Sequence, residues 1–121
     1  MKLVIKSGSL RLAVDLKDTP TSRALFDAAP FEARAQTWGE EVYFETPVSA
    51  KLEADAKQVV EPGTVCFWTQ GDALALPFGR TPISTDDKPK LANPCNVLGS
   101  MKDFALLKKI KSGDKVRVEK A

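Results

Sequence analysis

The sequence contains no histidine among its 121 residues. This absence removes the usual general base of Ser/His/Asp and Cys/His catalysis and the commonest ligand of catalytic zinc. Only two cysteines occur, Cys66 and Cys95, and two thiols alone do not complete a four-ligand zinc site. Their 29-residue separation permits a disulfide, but we interpret them as reduced, buried, structural thiols. Most hydrolase mechanisms are thereby excluded, and we expect no metal and no cofactor.

Long hydrophobic runs are also absent. The longest, Ala73 to Phe78, is far short of the roughly 20 residues that a membrane-spanning helix needs. The N-terminus has only three apolar residues between Lys2 and Lys6, too few for a secretory signal. We therefore expect a cytoplasmic protein with no membrane segment.

An excess of one charge is missing too, since 18 basic residues face 16 acidic ones for a net charge of +2. Residues 88–121 do carry nine basic and three acidic residues, including four lysines that could contact phosphates: Lys102, Lys108, Lys109 and Lys111. No nucleic-acid-binding motif accompanies them, and lysines also protect sheet edges. We interpret them as a solvent face and expect no nucleic-acid partner.

What the sequence does contain is strand patterning. Residues 10–16 alternate aliphatic and other residues, and Ser7-Gly8-Ser9 before them has the composition of a hairpin turn. Period-two alternation returns from Phe31 and again around Val42 and Phe44, which face opposite to Glu41, Tyr43 and Glu45. The segment Val48 to Val60 favours short strands, whereas residues 79–94 read as a long loop before a strand at Cys95 to Leu98. Residues 116–118 alternate like the first strands, and pairing of the two terminal strands would remove two exposed edges.

One helix start is clear. Thr19 is placed as an N-cap, Pro20 occupies the first helical position, and Pro30 ends the segment. The sequence predicts a short helix near residues 20–29 that caps one end of the strands. With 121 residues and 43% hydrophobic residues, a single all-β domain over residues 1–121 is expected.

Several strings in this order resemble the small prokaryotic cyclophilin-like proteins of unassigned function. They are the strings Asp18-Thr19-Pro20-Thr21, Trp38-Gly39-Glu40-Glu41-Val42-Tyr43-Phe44-Glu45, Phe78-Gly79-Arg80-Thr81-Pro82-Ile83-Ser84 and Asn96-Val97-Leu98-Gly99. The resemblance covers roughly residues 2–100. It implies a closed, eight-stranded cyclophilin-like barrel with one capping helix.

The resemblance does not imply prolyl isomerase activity. Cyclophilins that catalyse isomerisation share an arginine beside a phenylalanine and a histidine on one strand. The analogous strand of this sequence reads Tyr43-Phe44-Glu45, with a carboxylate in place of the cation. An ionised Glu45 cannot donate the hydrogen bond that a twisted amide requires. Arg34 lies on the preceding strand and could reach the same groove.

The candidate ligand-binding residues are aromatic side chains and a polar rim. By alternation Trp38 shares a face with Arg34 and Gln36, and Trp68 shares one with Cys66 and Gln70. For the other members, the competing interpretations are core packing for the phenylalanines, turn chemistry for the hydroxyl residues and a buried strut for the asparagine. The candidates are Arg34, Trp38, Tyr43, Phe44, Trp68, Gln70, Phe78, Thr81, Pro82, Ser84 and Asn96.

Three functions follow as hypotheses. The first is a binding module without established catalysis, whose groove takes a peptide or a small molecule. The second is a weak peptidyl-prolyl isomerase that uses Arg34. The third is a structural subunit whose aromatic patch docks a protein partner.

Overall fold

The computed structural model describes residues 1–121 and is mainly β. The strands are β1 (Lys2–Ser7), β2 (Leu10–Leu16), β3 (Phe31–Arg34), β4 (Gln36–Thr37), β5 (Glu41–Glu45), β6 (Lys57–Val59), β7 (Thr64–Trp68), β8 (Ala73–Pro77), β9 (Lys90–Ser100) and β10 (Lys115–Lys120). One α-helix, α1 (Pro20–Ala28), follows β2, and a 3₁₀ helix (Phe104–Lys109) precedes β10. Neither helix has the length and apolar character to cross a membrane.

The sheet is not the closed eight-stranded barrel that the resemblance implied. Its strands pair in the order β3-β10-β1-β2-β9-β7-β8-β5-β4, so β3 and β4 end the path, and β6 pairs with β9 outside it. The chain leaves β3 at Ala35, whose backbone bonds to Asp114 and Gly113, and then pairs with β5 instead. Closure was expected from the family resemblance, but the strand pairing leaves β3 and β4 as separate ends of the path.

The two ends of the chain follow the prediction. The hairpin of β1 and β2 runs in register from Lys2 opposite Asp15 to Ser7 opposite Leu10. The terminal strands β1 and β10 pair antiparallel, which removes two exposed edges. Helix α1 begins at Pro20, and the Thr19 hydroxyl caps it by accepting a hydrogen bond from the Ser22 N–H at 3.0 Å.

Two segments in the middle differ from the prediction. Strand β9 begins at Lys90, five residues before the predicted start, because β6 pairs with its first half. The predicted loop over residues 79–94 is correspondingly shorter. Between Val48 and Val60 only β6 is a strand. A segment that mixes alanine with charged residues has no hydrophobic period. The backbone of neighbouring strands therefore decides its secondary structure.

The main core lies on one face of the sheet. Strands β5, β7 and β8 each send alternate side chains into it, and the helix adds Leu25. The members from the three strands are Val42, Phe44, Val65, Phe67, Leu74 and Leu76, all fully buried. The side chains on the opposite face of the same strands do not belong to this core and are available to form a separate cluster.

Candidate functional site

A second, smaller apolar cluster lies on the face opposite the main core. Its members are Val60, Cys66, Ala75, Leu91 and Cys95, with Tyr43 and Trp68 packed against them. Ala75 on β8 lies between Tyr43 on β5 and Cys66 on β7 in the register of the sheet. Since alanine is short, the aromatic side chains around it rise above a shallow floor. The first half of β9 continues beyond its pairing with β7 and forms one wall.

These side chains enclose a pocket of about 300 Å³. Seven of its eight lining residues are hydrophobic. The lining residues are Trp38, Glu41, Tyr43, Trp68, Ala75, Leu91, Ala92 and Cys95. The volume is at the lower end of the range of about 300–1,000 Å³ that ligand pockets show.

A tight turn holds Trp38 and Glu41 at one end of the pocket. Gly39 lies in this turn with a φ of +59°, and a Cβ at this position would approach the Arg80 carbonyl oxygen at 2.9 Å. Glu40 donates its backbone N–H to the same carbonyl, and its own carbonyl accepts from the Phe78 N–H, each at 2.8 Å. Two of the strings that carry the family resemblance therefore bind each other and shape the pocket rim.

Two of the aromatic walls, Tyr43 and Trp68, have their polar groups satisfied at the rim. Tyr43 and Trp68 pack edge to face, with ring centroids 6.4 Å apart. The Tyr43 hydroxyl donates to Gln36 Oε1 at 3.0 Å. The Trp68 indole N–H reaches Asn93 Oδ1 at 3.0 Å and Gln70 Oε1 at 3.3 Å. The Tyr43 O–H and the Trp68 N–H are therefore both used, and neither donates to the remaining polar group of the pocket.

That polar group is the carboxyl of Glu41. The residue is only 6% exposed, and its Oε1 atom is buried without any hydrogen-bond partner. Burial raises the pKa of Glu41 to about 7. Neither lysine nor arginine lines the pocket. A buried carboxyl with no partner is uncommon in native proteins, and it marks a candidate functional group.

The two cysteines lie near this carboxyl, and both are free. Burial, with a smaller contribution from the charge of Glu41, raises the pKa of Cys95 to about 12. Burial also raises the pKa of Cys66, and Cys95 and Glu41 add to the effect. Both groups are therefore thiols at neutral pH and poor nucleophiles. Across the structure, no three metal-ligating side chains come together.

The structure brings three of the predicted site residues into the pocket: Trp38, Tyr43 and Trp68. Gln70 lies at its rim through the bond to Trp68. Phe44 is instead in the main core, and Phe78 packs against that core. Core packing, the alternative weighed for these two phenylalanines, is what the structure shows.

Arg34 does not line the aromatic pocket. It lines a separate shallow groove with Glu45 and Pro47, and its Nη1 donates to the Gly113 carbonyl at 3.2 Å. The prediction that Trp38 and Arg34 share a face assumed one continuous strand. Arg34 and Gln36 do line the same groove, as alternation predicts, but Trp38 lies beyond them in the turn before β5 and lines the aromatic pocket instead.

Thr81, Pro82 and Ser84, predicted to belong to the polar rim, lie in the loop before β9, and two of them hold that loop in place. Ser84 Oγ accepts from the backbone N–H groups of Thr81 and Lys90, and the Thr81 hydroxyl donates to the Lys90 carbonyl. Pro82 is exposed beside Gly39. None of the three lines the pocket.

Asn96 is a fully buried strut under the helix. Its Nδ2 donates to Thr21 Oγ1 at 3.0 Å and to the Lys51 carbonyl at 2.9 Å, and its Oδ1 accepts from the Glu53 N–H at 2.7 Å. All the hydrogen-bonding groups of this side chain are used inside the protein.

Sequence reasoning missed Glu41, Ala75, Leu91, Ala92 and Cys95 as lining residues. One signal was present for Glu41, because alternation put it on the same face as Tyr43. The wall from β9 carried no such signal, since residues 90–94 read as loop.

Comparison with known proteins agrees with this fold. A family model described as Cyclophilin-like matches residues 1–119. A hypothetical protein from Archaeoglobus fulgidus, known from a solution structure, is 40% identical with a TM-score of 0.85, covering 100% of this chain and 95% of that one. McbB, in a structure with tryptophan, is 14% identical with a TM-score of 0.72, covering 98% of this chain and 44% of that one. A search of curated proteins finds no match.

Proposed function

Because this chain belongs to the cyclophilin-like family, we propose that it is a ligand-binding domain whose aromatic pocket takes a small molecule or one apolar side chain of a peptide. The observation that carries the proposal is the pocket of about 300 Å³ with one unpartnered polar atom, Glu41 Oε1. Ligand pockets combine an apolar lining with a few polar groups that orient the ligand. The thiols are unreactive at neutral pH, so the proposal is binding without covalent chemistry.

Prolyl isomerase activity gains no support from the site. The hypothesis required Arg34 in the same groove as the aromatic residues, and Arg34 lies in another groove. The similarity to McbB, described with tryptophan, concerns the fold alone at 14% identity. An aromatic amino acid nevertheless belongs among the compounds to be tested.

The test is ligand-observed NMR with small aromatic compounds, tryptophan and short X-Pro peptides, followed by affinity measurement on variants. Trp68→Ala removes the larger of the two edge-packed rings. We expect at least a roughly tenfold loss of affinity, as for a central aromatic contact. Leu52→Ala is the control, because Leu52 is 55% exposed and does not line the pocket.

A folded Trp68→Ala variant that keeps the affinity of the unchanged protein would overturn the proposal. So would the absence of any binding across the panel at millimolar concentrations. Retained affinity in Leu52→Ala is expected, and its loss would place the binding surface elsewhere.

A further inference from the structure

The unused acceptor in the pocket points to the chemistry of the ligand. Glu41 Oε1 is buried, and no group of the protein donates to it. The nearby donors of Tyr43 and Trp68 are bonded to Gln36, Asn93 and Gln70 at the rim. Trp38 also lines the pocket, and its indole N–H does not donate to Glu41 Oε1. A bound molecule can therefore supply the missing donor.

The charge of the pocket lining further narrows the chemical class of the ligand's donor group. Glu41 is the only acidic residue in the lining, and no basic residue accompanies it. A ligand carboxylate or phosphate would meet a like charge and no cation. A protonated amine would instead form a charge-assisted hydrogen bond to Glu41, the stronger kind.

The aromatic walls favour the same group. Trp38, Tyr43 and Trp68 surround the pocket together with Glu41. Tryptophan and tyrosine rings attract cations, most strongly when water is excluded. The rest of the lining, Ala75, Leu91, Ala92 and Cys95, offers only apolar contact and suits a hydrophobic body.

The other titratable groups around Glu41 do not compete with this ligand. Cys95 from β9 and Cys66 from β7 lie near it, and burial keeps both protonated at neutral pH. Tyr43, from the same strand as Glu41, donates its hydroxyl hydrogen to Gln36. No fixed positive charge satisfies the carboxylate, so an entering ammonium group would be its first partner.

We propose that the pocket selects a small protonated amine with an apolar body, with Glu41 as the counter-ion and Trp38, Tyr43 and Trp68 as the cage. This inference rests on the proposed binding function. Glu41 determines specificity in it, whereas the aromatic side chains supply affinity for any apolar ligand.

Three compounds of one shape test the inference: phenethylamine, 2-phenylethanol and 3-phenylpropionate. At pH 8 we expect phenethylamine to bind roughly tenfold or more tightly than the neutral alcohol, the size of a charge-assisted hydrogen bond. The carboxylate should bind most weakly. Glu41→Gln should lower affinity for the amine to that of the alcohol while leaving the alcohol's affinity nearly unchanged.

Glu40→Gln is the matched control. Glu40 is the neighbouring carboxylate, is exposed, does not line the pocket and accepts only from the Arg80 N–H. Its variant should keep the preference for the amine.

The outcomes separate the two proposals. Equal binding of amine and alcohol by the unchanged protein, or a preference for the amine that survives in folded Glu41→Gln, would overturn the amine inference and leave the binding function standing. Absence of binding by all three compounds and by the wider panel would overturn the binding function itself.

Discussion

The buried carboxyl of Glu41 makes the stability of this protein depend on pH. Its pKa rises from 4.5 in an exposed chain to about 7 in the fold, because burial disfavours the charged form. A raised pKa contributes stability that is fully present below 4.5 and is lost as pH rises through 7. Between pH 5 and pH 7.5 this loss amounts to about 2 kcal/mol.

Urea unfolding at pH 5 and pH 7.5 measures this loss directly. In Glu41→Gln the loss should disappear, and the variant should be the more stable protein at pH 7.5. The two pH values avoid ionisation of the unfolded thiols. An unchanged pH dependence in Glu41→Gln would assign the effect to another group.

Residue types and spacing predicted the aromatic members of the site but not its acidic one. Trp38, Tyr43 and Trp68 were identified because aromatic side chains with polar edges suit a pocket. Glu41 was missed because a carboxylate at an alternating position normally faces water. Only the walls added by neighbouring strands make that position buried.

At the scale of elements, the short pairing between β2 and β9 is the place where a substitution should affect stability most. It consists of two register pairs, Asp15 with Ser100 and Leu16 with Gly99, and it connects the half that holds both termini to the half that holds the pocket. A Cβ on Gly99 would overlap the Asp15 carbonyl oxygen. Gly99 therefore permits the two backbones to approach closely.

Gly99→Ala should destabilise the protein by about 3 kcal/mol, because the two strands must separate to accept the methyl group. Chemical denaturation followed by circular dichroism measures the difference. Ser100→Ala, on the neighbouring exposed position, should change stability by only about 0.5 kcal/mol. Equal stability of the two variants would show that the strands adjust at no cost.

At the scale of the whole molecule, the open strand order predicts where the backbone exchanges hydrogen. Strand β9 pairs with β2, β6 and β7, whereas β3 and β4 each have one partner and end the sheet. Amides of the central strands should exchange most slowly, and those of Gln36 and Thr37 in β4 among the fastest.

Amide exchange followed by NMR checks this order. Protection of β3 and β4 equal to that of Phe67 or Leu74, which lie in central strands, would indicate that the edges find partners in solution. That result would contradict the open strand order.

The sequence alone determined the local structure at both ends of the chain. The hairpin of β1 and β2, the capped start of α1 at Thr19 and Pro20, and the terminal strand β10 depend on alternation, capping and turn chemistry over a few residues. The family resemblance also rests on local strings, and Gly39 and Gly99 in those strings occupy positions where a Cβ would clash with neighbouring backbone.

The tertiary structure alone decided the pocket. Its wall from β9 exists because β6 pairs with residues that carry no strand pattern of their own, and its floor exists because Ala75 lies between two longer side chains across three strands. Burial of Glu41 arises from these same contacts. Such features depend on neighbours distant in the chain, so no window of sequence contains them.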